Sequence, residues 1–190
     1  MKNFYIALIH SPVINRNKEI VTSSVTNLDL HDIARAARSY GVKGYFVVHP
    51  SNDQHALNRR IIHHWMGAYG QATNRTRSTA LDLVHLVNEW DEVLAKIQEE
   101  TGESPLCVGT HARQEGERML SIPGLLEQLE TRPVLLVFGT AYGLSSVWWE
   151  RLEAFLPPIV GPSDYNHLSV RSAVSIYLDR LFGRELSLTN

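Results

Sequence analysis

What most limits the fold of this chain is an alternation of two hydrophobic patterns. Short runs of consecutive apolar residues occur at 4–9, 44–49, 81–86, 106–109 and 134–138. Each is bounded by Gly, Pro, His or Asn, and unbroken apolar runs suit parallel strands buried on both faces. Between them lie stretches with helical spacing. Leu30, Ile33, Ala34 and Ala37 form one inward stripe, with Thr26 and Asp29 at capping-box spacing before it and Gly41 as a stop. Ile61, Ile62, Trp65, Met66 and Tyr69 mark a second helix ending near Gly70, and residues 89–100 a third. Val170, Ala173, Val174, Tyr177, Leu178 and Leu181 mark the last. The alternation predicts an α/β fold with a mostly parallel sheet flanked by helices. The 190 residues make about one domain. Segments 10–24, 71–79, 109–122 and 157–166 are left as loops long enough to carry chemistry.

Composition removes several classes of function. The 18 Lys and Arg against 20 Asp and Glu give a net charge of −2, so any nucleic-acid binding must use local basic patches. Cys107 is the only cysteine, which excludes an internal disulfide and a cysteine-based zinc cluster. No apolar stretch approaches the roughly 20 residues of a membrane span, and the expected location is the cytoplasm. Gly-x-Gly-x-x-Gly, the Gly-x4-Gly-Lys phosphate loop and the Gly-x-Ser-x-Gly elbow are all absent. His63 and His64 are adjacent, so on a helix they diverge by about 100° and cannot chelate one ion; no metal is expected.

Three segments exceed what packing needs. The first, Asn27-Leu-Asp-Leu-His-Asp-Ile-Ala-Arg35, gathers Asp29, His31, Asp32 and Arg35 on the first turns of one helix. In the second, an apolar strand runs into Phe138-Gly-Thr-Ala-Tyr-Gly143-Leu144. Glycines at the C-terminal edge of a strand let a ligand approach the backbone. The third is a Pro- and Gly-rich loop that leads through Asn166-His-Leu-Ser-Val-Arg-Ser172 into the final helix. A helix start of that kind offers free N–H groups to the polar edge of a ligand.

In this order the three segments resemble the motifs of the SPOUT superfamily of S-adenosylmethionine-dependent RNA methyltransferases, over nearly the whole chain. The similarity is greatest to a predicted bacterial RNA methyltransferase group within it. The resemblance implies a C-terminal deep trefoil knot, a bent methyl donor held in that knot, and a homodimer with the site at its interface. It assigns Arg35 to the position that faces the transferring methyl, with Asp29 where relatives carry Asn. Asp29 and His167 join Arg35 as candidate catalytic residues. The donor site implied is the backbone around Val108, Gly109 and Thr110, then Phe138, Gly139 and Gly143, then Ile159, Gly161, Leu168 and Ser169. The second motif is one residue shorter than the Phe-Gly-x-Glu-x-x-Gly-Leu type and lacks its Glu. In the third, Ser169 and Arg171 stand where Asn and Ser are usual.

The expected function is therefore methyl transfer from S-adenosylmethionine, as co-substrate, to tRNA or rRNA. A sulfonium needs in-line positioning more than covalent help, and the acceptor is a ribose 2′-hydroxyl or a base nitrogen. Arg38, Arg75 and Arg77 are candidates for holding RNA phosphates, as are Arg59 and Arg60 beside His63 and His64. A homodimer is also expected from the apolar stripe of the last helix and from Trp148 and Trp149. The altered motifs leave a second reading, a non-catalytic knotted protein that binds the donor or RNA.

Overall fold

The structure is a computed structural model that describes residues 2–112 and 118–184. Its centre is a sheet of six strands: β1 (Phe4–Ile9), β4 (Gly44–Val48), β5 (Val84–Val87), β6 (Leu106–Gly109), β7 (Val134–Gly139) and β8 (Ala154–Phe155). They run in the order β5-β4-β1-β7-β6-β8, and every pairing is parallel. All six residues of β1 are buried, as an unbroken apolar run between two flanking layers requires. Two short strands, β2 (Val13–Ile14) and β3 (Ile20–Val21), pair antiparallel within the loop after β1.

Alternate strand residues face two core clusters. One side carries Ile6, Leu8, Tyr45, Val47, Leu136 and Phe138 against helices α1 (Asn27–Ser39), α2 (Asn52–Met66), α4 (Arg75–Leu81), α6 (Ile122–Leu129) and α7 (Val170–Phe182). The other carries Ala7, Phe46 and Val137 against α5 (Trp90–Thr101) and Trp148 of the 3-10 turn Ser146–Glu150. A short helix α3 (Ala68–Thr73) joins α2 to α4.

The α1 start forms as its sequence predicts. Thr26 Oγ1 accepts from the Asp29 N–H, and the Asp29 carboxylate accepts from Thr26 N–H and Oγ1–H at 3.3 and 2.6 Å. Gly41 follows the helix with a φ of 73°, which glycine adopts at little cost.

Three expectations need correction. Residues 81–83 do not belong to the third strand, which is Val84–Val87; Leu81 instead closes α4 and buries its side chain. Segment 71–79 is not a loop: it holds the end of α3 and most of α4, because Asn74 caps α4 by accepting from Arg77 N–H. Its Ser and Thr residues conceal a buried face of Ser78, Ala80 and Leu81. The second helix ends at Met66 rather than near Gly70, and Gly67 separates it from α3.

The apolar stripe of the last helix is buried within the chain itself. Val174, Tyr177, Leu178 and Leu181 pack into the first core, and Trp148 is buried against Trp90. Trp149 packs against Phe155 with its ring tilted by 48° and the centroids 5.0 Å apart. These side chains are thus satisfied largely within the chain, while Trp149, Val170 and Ala173 remain half-buried.

Candidate active site

Parallel strands deliver their C-terminal ends to one edge of the sheet, and polar residues collect there. His10 follows β1, His49 follows β4, Thr110 follows β6 and Thr140 follows β7. His10 is fully buried, with Nδ1 at 3.2 Å from Ser23 Oγ, and Ser23 Oγ bonds in turn to Thr140 Oγ1. Thr140 donates its hydroxyl proton to the Ile9 carbonyl at 3.0 Å. Because that proton is used, Ser23 donates to Thr140 and His10 Nδ1–H donates to Ser23. His10 Nε2 is then a buried acceptor without a partner among the described residues. Burial lowers the His10 pKa to about 4; the Asp29 charge opposes the shift and neighbouring His49 adds to it. His10 is thus neutral at pH 7.

Above this cluster, two of the sequence segments meet. Arg171, in the first turn of α7, reaches Asp29 Oδ1 at 3.0 Å and Asp32 Oδ2 at 3.5 Å on α1. Asp29 is buried and its other oxygen serves the capping box, so its carboxylate is fully engaged. Asp29 and Arg171 stand at two of the positions where the chain departs from the motifs it resembles, and the two departures pair with each other.

Arg35 lies farther along α1, exposed, and one helical turn beyond His31. His167 is exposed on the loop before α7, its ring 5.2 Å from that of Tyr165. The structure thus brings Asp29 to Arg171 rather than to His167. Arg38 and Arg75 are exposed on α1 and α4, and Arg77 is half-buried.

The implied donor loops, after β6, β7 and β8, come from three adjacent strands. Leu156 N–H donates to the Gly109 carbonyl at 3.0 Å, and Asn166 Nδ2 to the Ala112 carbonyl at 2.7 Å. Several of the implied donor residues, however, serve the loops themselves. The side chains of Val108 and Phe138 are core. A Cβ on Gly109 would fall 2.5 Å from the Phe155 ring, and Thr110 gives both its N–H and its hydroxyl to the Val137 carbonyl. A Cβ on Gly139 would lie 2.5 Å from Leu144 N and 2.7 Å from the Gly143 carbonyl carbon. Gly139 thus makes room for the chain's own turn, and Gly143 completes that turn at a φ of 109°. Ser169 is occupied as the N-cap of α7. Half-buried Ile159, exposed Leu168 and Gly161, where an added Cβ would meet nothing within 4 Å, are implied residues whose surface the loops do not use.

Among the described residues, no three His, Cys, Asp or Glu side chains are placed to hold a metal ion. Cys107 is buried, which pushes its thiol pKa up to about 12. The sequence reading missed His10, Ser23 and Thr140. The available signal was the polar residue that directly ends each apolar run.

A family model described as SAM-dependent RNA methyltransferase matches residues 3–183. The chain belongs to that family. It is 40% identical over 185 residues to a tRNA (guanine-N(1)-)-methyltransferase of Oleidesulfovibrio alaskensis, covering 97% of this chain and 43% of that protein. A protein of Aquifex aeolicus is also 40% identical, with 96% of this chain and 90% of that one covered. The chain thus spans less than half the length of the first relative, and the acceptor in that relative's name belongs to a longer protein. Among solved structures, a probable methyltransferase from Bordetella pertussis is similar at a TM-score of 0.60 and 16% identity, covering 95% of this chain and 94% of that one. The SpoU methyltransferase AviRb from Streptomyces viridochromogenes, in complex with AdoMet, is similar at 0.55 and 17%, covering 96% and 58%. What the chain shares with these two structures is the fold. Among the described residues no helix is long and apolar enough to cross a membrane.

Proposed function

We propose that this chain transfers the methyl group of S-adenosylmethionine to a nucleotide of RNA at the C-terminal edge of its sheet. The Arg171 bridge to Asp29 and Asp32 carries the reading, because it ties the helix bearing Arg35 to the loop bearing Leu168. Ile159, Gly161 and Leu168 form the donor wall; Val108, Gly109, Thr110, Phe138, Gly139, Gly143 and Ser169 hold its loops in shape. The donor, when bound, supplies an activated sulfonium methyl, so the protein's task is alignment. Arg35 orients the acceptor with its planar fork of donors. Asp29 fixes Arg171 and the start of α1 rather than taking a proton. His167, exposed at the mouth of the loop, is the base for a 2′-hydroxyl or a ring nitrogen.

The same reading includes the trefoil knot. Segment 156–169 is hydrogen-bonded to the β6 loop near both its ends, and Tyr177 donates to the Pro157 carbonyl at 2.8 Å, an arrangement suited to a threaded C-terminus. It also includes one domain over 1–190, a cytoplasmic place of work beside its RNA, and a homodimer. Val160, Tyr165 and Leu168, at 68, 74 and 47% exposure, are the apolar surface nearest the donor wall that a second copy would cover. The test is tritium transfer from methyl-labelled S-adenosylmethionine to unfractionated tRNA and to rRNA. Label in RNA is the expected result. Donor binding without any transfer would leave the non-catalytic binding protein in its place.

A further inference from the structure

Beside Arg35 stands a second guanidinium that neither packing nor an ion pair explains. Arg77, on α4, lies over the Trp65 ring of α2, its Cζ 4.2 Å from the centroid. Its Nε is buried without a hydrogen-bond partner, and no salt bridge is made to it among the described residues. Trp65 meets His31 of α1 edge to face at 5.7 Å, and His31 Nδ1 is likewise buried and without a partner among the described residues. Burial and the charges of Arg77 and Arg35 lower the His31 pKa against the opposing pull of Asp32. Asp32 is itself drawn off by Arg171. Three helices therefore bring Arg77, Trp65 and His31 together, with Arg35 one turn beyond His31 on α1 and the nearby Asp32 carboxylate engaged by Arg171.

Taking a guanidinium nitrogen out of water without a partner is costly, and a half-buried cation–π contact offsets only part of that cost. A guanidinium held over a tryptophan ring, with no hydrogen bond from its terminal nitrogens among the described residues, is preorganised for an anion. Arginine's fork matches a phosphate. We propose that Arg77, held on Trp65, forms with Arg35 and His31 a clamp for a phosphodiester of the RNA strand that carries the acceptor nucleotide. The clamp rests on the methyltransferase reading for its location beside Arg35. It extends that reading by naming the contact that sets where the strand lies.

The test uses a fluorescent short single-stranded RNA and unfractionated tRNA, with affinity measured by anisotropy as a function of salt. Arg77→Gln is expected to weaken RNA binding about tenfold and to lower the salt slope by about one, as the loss of one phosphate contact does. S-adenosylmethionine affinity should stay as in the wild type. Trp65→Leu keeps every charge yet is expected to weaken RNA binding as well, since Arg77 loses the plane that fixes it. A loss of less than about threefold in Arg77→Gln overturns the clamp. The unmodified protein gives an independent reading by NMR titration: bound RNA must raise the His31 pKa, and an unchanged value overturns the clamp whatever the variants do. The two proposals fail separately. A wild type that binds RNA through Arg77 but never methylates it removes the methyltransferase reading alone. A wild type that methylates RNA with the same RNA KM after Arg77→Gln removes the clamp alone.

Discussion

Asp29 shows how a residue can match a motif position and still do a different job there. The spacing marked it as part of a polar group on a helix start. What spacing could not show was Arg171, 142 residues later in the chain, reaching back to the same carboxylate. Removing only the cation leaves a buried carboxylate short of a partner, so Arg171→Ala is expected to cost about 2 kcal/mol, below the cost at a wholly buried pair because Arg171 is partly exposed. Asp29→Asn combined with Arg171→Ser removes both charges. A double-mutant cycle in urea should show coupling of at least about 1 kcal/mol; strict additivity would mean that the pair is ornamental. His10 gives a second residue-scale expectation. Its folded pKa of about 4 lies below the 6.5 of an unfolded histidine, so the unfolded chain binds more protons between those values. Stability is therefore full above about pH 6.5 and falls as pH drops toward 4. His10 alone should remove about 2 kcal/mol between pH 7 and pH 5, and urea midpoints should show this loss shrinking in His10→Asn. An equal acid loss in both proteins would contradict the buried neutral state.

At the scale of elements, the sheet and the first and last helices were legible because their apolar patterns are long and regular. Helix α4 was not. Its Arg-Thr-Arg-Ser-Thr opening reads as a polar loop, and only the Asn74 cap and the burial of Ser78, Ala80 and Leu81 reveal a helix. The loops after β6, β7 and β8 were legible as glycine-rich turns but not as to which glycine faces what. Gly139 is needed by its own turn, so Gly139→Val should unfold the loop and lower thermal stability before any effect on ligand can be read. Gly161 has open space around it. Gly161→Phe should leave thermal stability nearly unchanged while weakening S-adenosylmethionine binding at least about tenfold, near 1.4 kcal/mol, by calorimetry. Unchanged affinity in that folded variant would remove the Ile159–Gly161–Leu168 wall as the donor site.

For the molecule as a whole, part of what pointed to a dimer is used within one chain, since Trp148 and the Val174, Tyr177, Leu178 and Leu181 side chains of α7 are buried. Half-buried Trp149 and the exposed Val160, Tyr165 and Leu168, beside the proposed donor wall, are apolar surface that a second copy would cover. Sedimentation equilibrium at micromolar concentration is expected to show twice the 21.5 kDa chain mass, with Leu168→Asp shifting it toward the monomer; a wild-type monomer would leave the site to one chain. The central claim, that Arg35 aligns an RNA acceptor with the methyl donor, is tested most directly by single-turnover methylation with deuteromethyl S-adenosylmethionine, read by mass spectrometry of the RNA nucleosides. The wild type should yield one labelled nucleoside. Arg35→Lys, which keeps the charge but loses the planar fork, should yield it at least about tenfold more slowly with unchanged donor affinity. No labelled nucleoside in the wild type, or equal rates in both proteins, would contradict the claim.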